Sequence, residues 1–143
     1  MQFYVRSHHS NIYDVLMGTL VIFSINVRRL ADFYEAVVGV KRSPSPGDNA
    51  KDIRLRSGNE EILIHSIPAK IAKTISLQSP PEAREDTPIK PVFDVDSLAT
   101  ALEKVSLKGG VVTGRTFALN GLTRHDVLDS DGNIIQLRGP SSR

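Results

Sequence analysis

Two stretches of this chain carry the same pattern, a short β-branched apolar run followed by a helical stripe. In residues 19–40, TLVIFSINVRRLADFYEAVVGV, the run from Leu20 to Ile25 has the length and residue types of a buried strand. Beyond it, Leu30, Phe33, Tyr34, Val37 and Val38 recur at helical spacing and stop at Gly39. In residues 89–112, IKPVFDVDSLATALEKVSLKGGVV, the residues Val92, Phe93 and Val95 make the strand and Asp96 or Ser97 caps the helix. Leu98, Ala101, Leu102 and Val105 form its stripe before Gly109-Gly110. The pairs Leu30 and Leu98, Phe33 and Ala101, Tyr34 and Leu102, and Val37 and Val105 are each 68 residues apart.

The closing strands match as well. SGNEEILIHS (57–66) parallels SDGNIIQLRG (130–139), with Gly58-Asn59 and Gly132-Asn133 standing 74 apart. Between helix and closing strand each copy has room for two shorter strands. In the first these fall near 40–44 and 51–56, split by SPSPGDNA; in the second they fall near 111–117 and 122–128, split by the hairpin signal Asn120-Gly121. The pattern predicts two β-α-β-β-β units in a single α+β domain over 19–138. Unit one is 19–66, a proline-bearing linker with a short Ala/Ile helix is 67–88, and unit two is 89–138. Residues 1–18 read as an extension and 139–143 as a frayed tail.

Composition removes several classes of chemistry. With no cysteine, disulfide frameworks, thiolate nucleophiles, zinc–thiolate clusters and iron–sulfur centres are excluded. With no tryptophan and 6% aromatic residues, a pocket walled by stacked rings is not expected. Ten basic and seven acidic residues in 1–75, against eight and nine in 76–143, give neither a basic stripe nor a charge run, so no nucleic-acid partner is expected. No apolar run is long enough to span a membrane, and MQFYVRSHHSNIYDVLMG has no long apolar segment followed by a cleavage site. The reading is a soluble, cytoplasmic protein. His8 and His9 read as solvated residues of the extension.

The most specific segment is Leu128-Asp129-Ser130-Asp131-Gly132-Asn133-Ile134-Ile135-Gln136-Leu137, in which Asp131-Gly132-Asn133 supplies the residues a tight turn needs. With Asn26-Val27-Arg28-Arg29-Leu30-Ala31-Asp32-Phe33-Tyr34 and the internal repeat, it resembles the vicinal oxygen chelate superfamily, the glyoxalase/bleomycin-resistance/dioxygenase proteins. The resemblance covers residues 19–138. It implies two βαβββ units forming curled mixed sheets around a cavity. It also implies that enzymes of the family hold a divalent metal there, with ligands from the first and last strand of each unit. Such a metal stabilises a developing enolate or peroxo oxygen as a Lewis acid.

Carried onto this chain, those four positions read Thr19, Leu63, Lys90 and Gln136. A hydroxyl is a poor substitute for imidazole, a protonated lysine repels a cation, and Gln136 keeps an acceptor oxygen without a charge. Strand alternation in EEILIHS places Ile62 and Ile64 toward the helix and Glu61, Leu63 and His65 toward the cavity. A register slip of two would bring Glu61 or His65 to the ligand position. No metal or other cofactor is therefore favoured; a divalent ion, if held, would use Glu61, His65 and Gln136. Alternation also groups Lys90 with Asp94, as a solvated pair or a polar floor, and points Gln136 and Arg138 into the same cavity. His125 reads as a hydrogen-bonded wall residue whose pKa keeps a base role open.

The expected function is binding of a small organic molecule between the units without the metal tetrad, through Thr19, Leu63, His65, Lys90, Asp94, His125, Gln136 and Arg138. One alternative is a metal-dependent lyase, isomerase or dioxygenase with shifted ligands. Others are an antibiotic-binding resistance dimer and a scaffold without chemistry. The resemblance further implies a homodimer.

Overall fold

The computed structural model describes residues 18–141. His8, His9 and the last two residues of the tail lie outside that range. Unit one runs β1 (Leu20–Ser24), α1 (Val27–Val37), β2 (Lys41–Arg42), β3 (Ile53–Ser57) and β4 (Glu60–Ser66). A short helix α2 (Ala69–Ala72) sits in the linker. Unit two runs β5 (Val92–Asp94), α3 (Leu98–Leu107), β6 (Val111–Leu119), β7 (Leu122–Leu128) and β8 (Ile134–Pro140). Each unit builds one four-stranded mixed sheet, in the orders β1-β4-β3-β2 and β5-β8-β7-β6. In each, the first strand pairs parallel with the last and the remaining pairs are antiparallel.

The expected β-α-β-β-β repeat is present, but its offsets differ from those read in the sequence. Both helices open on a side-chain cap, with Asn26 Oδ1 accepting from the Arg29 amide and Ser97 Oγ from the Thr100 amide. The caps stand 71 apart. The sequence offset of 68 is three residues short, close to one helical turn, and a stripe shifted by a turn still lies on the same face. In the closing strands Ile62 and Ile64 occupy the places of Ile135 and Leu137, an offset of 73, because their partners Leu20 and Ile22 sit as Phe93 does on β5. An offset of 74 would turn Gln136 toward the helices; at 73 it faces away from them.

One apolar core joins the units. Leu30, Ala31, Phe33, Tyr34 and Val37 of α1 pack with Leu55, Ile62 and Ile64 of the first sheet. The same cluster takes in Phe93, Ala101, Val105, Val127, Ile135 and Leu137 of unit two. Tyr34 meets Phe93 edge-on, with ring centroids 5.7 Å apart. The expected α+β fold is present as two four-stranded mixed sheets, which share this core through their helices and do not close on each other. Each sheet keeps an open face away from the helices. Val21, Phe23 and Val92 are exposed there, as alternation from the partly buried Ile22 and the buried Phe93 requires.

Proline and glycine set the ends of several elements. Pro91 has no amide to donate, so β5 begins only at Val92 and Lys90 precedes the strand. Asn120 and Gly121 both hold positive φ, 55° and 78°, as the two-residue hairpin between β6 and β7 demands. β8 continues to Pro140, with Gly139 opposite Thr123, two residues past the boundary read from the sequence. Among the described residues no helix is long and apolar enough to cross a membrane.

Candidate functional site

The structure distributes the eight sequence candidates over separate groups. On the open face of the first sheet, the Thr19 hydroxyl donates to Glu61 Oε1. Glu61 also receives Arg56 Nε at 2.6 Å and lies 3.3 Å from Arg54 Nη1. The Thr19 hydrogen bond and the two arginines outweigh partial burial and hold the Glu61 carboxyl below its ordinary range. Leu63 lies between Glu61 and His65 on the same face with no polar atom to offer. His65 turns its Nδ1 to Asp52 Oδ2, 2.7 Å away.

The open face of the second sheet carries a polar cluster of its own. Lys90 Nζ donates to Asp126 Oδ2 at 2.9 Å, and Gln136 Nε2 donates to Asp126 Oδ1 at 3.1 Å. Arg124 Nη1 stands 3.4 Å from Gln136 Oε1. Asp126 and Gln136 are directly opposed across β7 and β8, which is why their side chains meet. Both are buried, whereas the Lys90 side chain is 43 % exposed.

The expected grouping of Lys90 with Asp94 is therefore corrected. Lys90 lies outside the strand and pairs with Asp126, while Asp94 is held by Arg138, whose Nη2 donates at 2.9 Å. That arginine holds the Asp94 carboxyl below its ordinary range against partial burial. Glu60 of unit one approaches the same place: burial raises its carboxyl, and the Asp94 charge raises it further.

His125 does not face the cavity for which it was a candidate. It alternates with the buried Val127, so it lies on the helix side of β7, bordering a cleft with Leu98 and Leu102 of α3. Its Nε2 is 2.7 Å from the Thr113 carbonyl oxygen.

A cavity of about 460 Å³ opens beside Lys90 and Asp126. Thr87, Pro88 and Ile89, where the linker meets unit two, wall one side and Thr113, Gly114 and Arg115 another. The register of β6 shifts between Val112 and Thr116, leaving Thr113–Arg115 out of the regular ladder, as bulges beside functional sites often do. Thr113 Oγ1 donates to the Asp126 carbonyl oxygen at 2.6 Å and accepts from the Arg115 amide, which fixes the bulge. Asp126 and Arg115 were missed in the sequence. Asp126 is legible there only through its pairing with Gln136, since an acidic residue in a strand carries no motif of its own.

The donors at the four family positions do not suit a divalent cation. Thr19 and Lys90 occupy equivalent places in the two units, as do Leu63 and Gln136, and among them only Gln136 and Thr19 offer neutral oxygen. Among the described residues no three His, Asp or Glu side chains converge as a metal site would need.

No protein-family model matches the sequence, and no curated protein matches it. Solved structures do match in fold. A glyoxalase/bleomycin resistance protein/dioxygenase family enzyme from Burkholderia phytofirmans superposes with a TM-score of 0.60 at 16% identity, covering 85% of this chain and 96% of its own. A fosfomycin resistance protein from Listeria monocytogenes gives 0.61 at 14% identity, covering 87% and 93%. A glyoxalase/bleomycin resistance protein from Albidiferax ferrireducens gives 0.60 at 16% identity, covering 87% and 98%. The chain thus has the fold of the vicinal oxygen chelate superfamily that its sequence resembles.

Proposed function

We propose that this chain of glyoxalase fold binds a small organic anion in the cavity beside Lys90, without a divalent metal. The observation that carries the reading is Lys90 Nζ, 2.9 Å from the buried Asp126 carboxylate and half open to a 460 Å³ cavity. Lys90 stands where a family enzyme would place a metal ligand, so a fixed ammonium takes the place of the cation. Asp126 orients it and Gln136 orients Asp126. Arg115, at the cavity wall, adds a second cation, and an anion there gains charge-assisted hydrogen bonds of the stronger kind. Pro88 and Ile89 offer apolar contact to the remainder of the ligand.

The same reading takes the chain as a homodimer, supported by the exposed Val21, Phe23 and Val92 on the open sheet faces. The shifted-ligand metal enzyme gains no support from Glu61, whose carboxylate is engaged by Thr19 and two arginines.

The test is ligand titration by calorimetry with small carboxylates and phosphonates, fosfomycin included because one structural neighbour is a fosfomycin resistance protein. Saturable binding that survives a chelator supports the reading. Lys90→Met should weaken it about tenfold, which is about 1.4 kcal/mol. Asp126→Asn, which removes the competing negative charge, should tighten it. Equal affinity in all three proteins, or binding abolished by the chelator, contradicts it.

A further inference from the structure

Unit one holds a second polar group that the anion site does not use. Ile53 pairs with Ile64 at the end of the β3–β4 ladder, and Asp52, just before β3, reaches His65, just after Ile64. His65 Nδ1 lies 2.7 Å from Asp52 Oδ2, and Asp52 Oδ1 accepts from the Ser66 amide at 2.9 Å. The Asp52 side chain is 6 % exposed. Burial pushes its carboxyl up, but the Ser66 amide and the His65 ring outweigh burial and hold it below its ordinary range.

An ionised carboxylate accepts and cannot donate, so Asp52 selects the tautomer with its proton on Nδ1. Nε2 is then the basic nitrogen, and it makes no hydrogen bond to another described residue. From β1, Phe23 meets the imidazole edge-on with centroids 5.1 Å apart, so the ring is fixed from both neighbouring strands. A cavity of about 470 Å³ opens at His65, with Lys51 and Asn49 on its polar side and Ile25, Ile67 and Ala72 on its apolar side.

We propose that the His65–Asp52 pair is a general base serving a second site, which takes a phenol or a comparably acidic hydroxyl compound. In the step, the ligand O–H bond breaks, its electron pair stays on oxygen, and the proton forms a bond to Nε2. Phenolate and imidazolium result, and no co-reactant is consumed. The charged groups around the ring are Asp52, which stabilises the imidazolium, and Lys51, which supplies the counter-charge for the phenolate. Asp48 acts on Asp52 from one step further away. The apolar walls favour an aromatic body over water.

The probe is 4-nitrophenol, whose phenolate absorbs in the visible and whose neutral form does not. Titrating the full chain into it slightly below its own pKa should give a saturable rise in phenolate absorbance. His65→Gln should abolish the rise, Asp52→Asn should cut it at least tenfold, and His125→Gln should leave it unchanged. Nitrogen NMR of the wild-type imidazoles should find the His65 proton on Nδ1, a readout that needs no variant to fold. A rise that persists in His65→Gln, a rise lost equally in His125→Gln, binding without phenolate, or a proton on Nε2 would each overturn the proposal.

Discussion

Tyr34 Oη donates a 2.7 Å hydrogen bond to Asp129 Oδ2, tying the first helix of unit one to the closing turn of unit two. Both side chains are buried, and burial, with the Asp129 charge, pushes the Tyr34 hydroxyl well above its ordinary range. Asp129 also accepts from Asn133 Nδ2 at 2.8 Å and from the Asp131 and Asn133 amides. Beside it, Ser24 donates to Asp131 at 2.8 Å and Arg29 donates to the Ser130 carbonyl at 3.0 Å. A polar latch thus crosses an apolar core, and low surrounding polarity makes each of its bonds costly to leave unmade.

Removing the tyrosine hydroxyl tests that latch. Tyr34→Phe keeps the packing and leaves Asp129 one donor short, which should cost about 1–2 kcal/mol. Asp129→Asn sets an amide N–H against the other donors and should cost about 1–3 kcal/mol. Urea denaturation reads both; an unchanged midpoint in Tyr34→Phe would mean the bond contributes nothing to joining the units.

Gly110 is a second point of unit contact. A Cβ there would lie 2.3 Å from the Leu128 carbonyl oxygen and 2.6 Å from Phe33 Cε2. Neither the β7 backbone nor a ring packed in the core can yield cheaply, so Gly110→Ala should cost about 1–3 kcal/mol as an overpacked core does. A fall in melting temperature of only a degree would show the junction to be loosely packed.

Acid should weaken the fold in a defined window. Arg54 and the Ser45 amide hold the Asp48 carboxyl down, to about 2, and Glu61, Asp52 and Asp94 are also lowered. A carboxyl lowered in the folded state binds its proton more weakly there than in the unfolded chain. Its contribution is complete above the ordinary carboxylate value near about 4 and is lost as pH falls through the lowered one. Urea midpoints measured downward from pH 7 should therefore fall steeply only below about 4. Arg54→Met, which removes the partner of Asp48 and one partner of Glu61, should flatten that fall; parallel curves would contradict the assignment.

The repeat and the open face of EEILIHS were legible in the sequence because apolar periodicity records burial directly. The exact offsets were not. A helix stripe tolerates a shift of one turn, and only the caps Asn26 and Ser97 fix its phase. The partner of Lys90 was misread because Pro91 ends the ladder before it, so alternation no longer applies. Alternation sets His125 on the face of Val127, yet alternation alone does not say which face is lined by helices until Val127 is seen to be buried. Asp126, Arg115 and Asp52 depend on strand pairing and a bulge, which side-chain sequence does not encode locally.

The most direct test concerns the ammonium at Lys90 as a replacement for a metal. Chelator-treated protein is titrated with nickel, zinc, manganese and iron(II), and binding is followed by calorimetry. With Thr19, Leu63, Lys90 and Gln136 at the four positions, no stoichiometric site should be found, and organic-anion binding should be the same with and without added metal. One ion bound per chain, lost on changing His65 and Gln136, would contradict it.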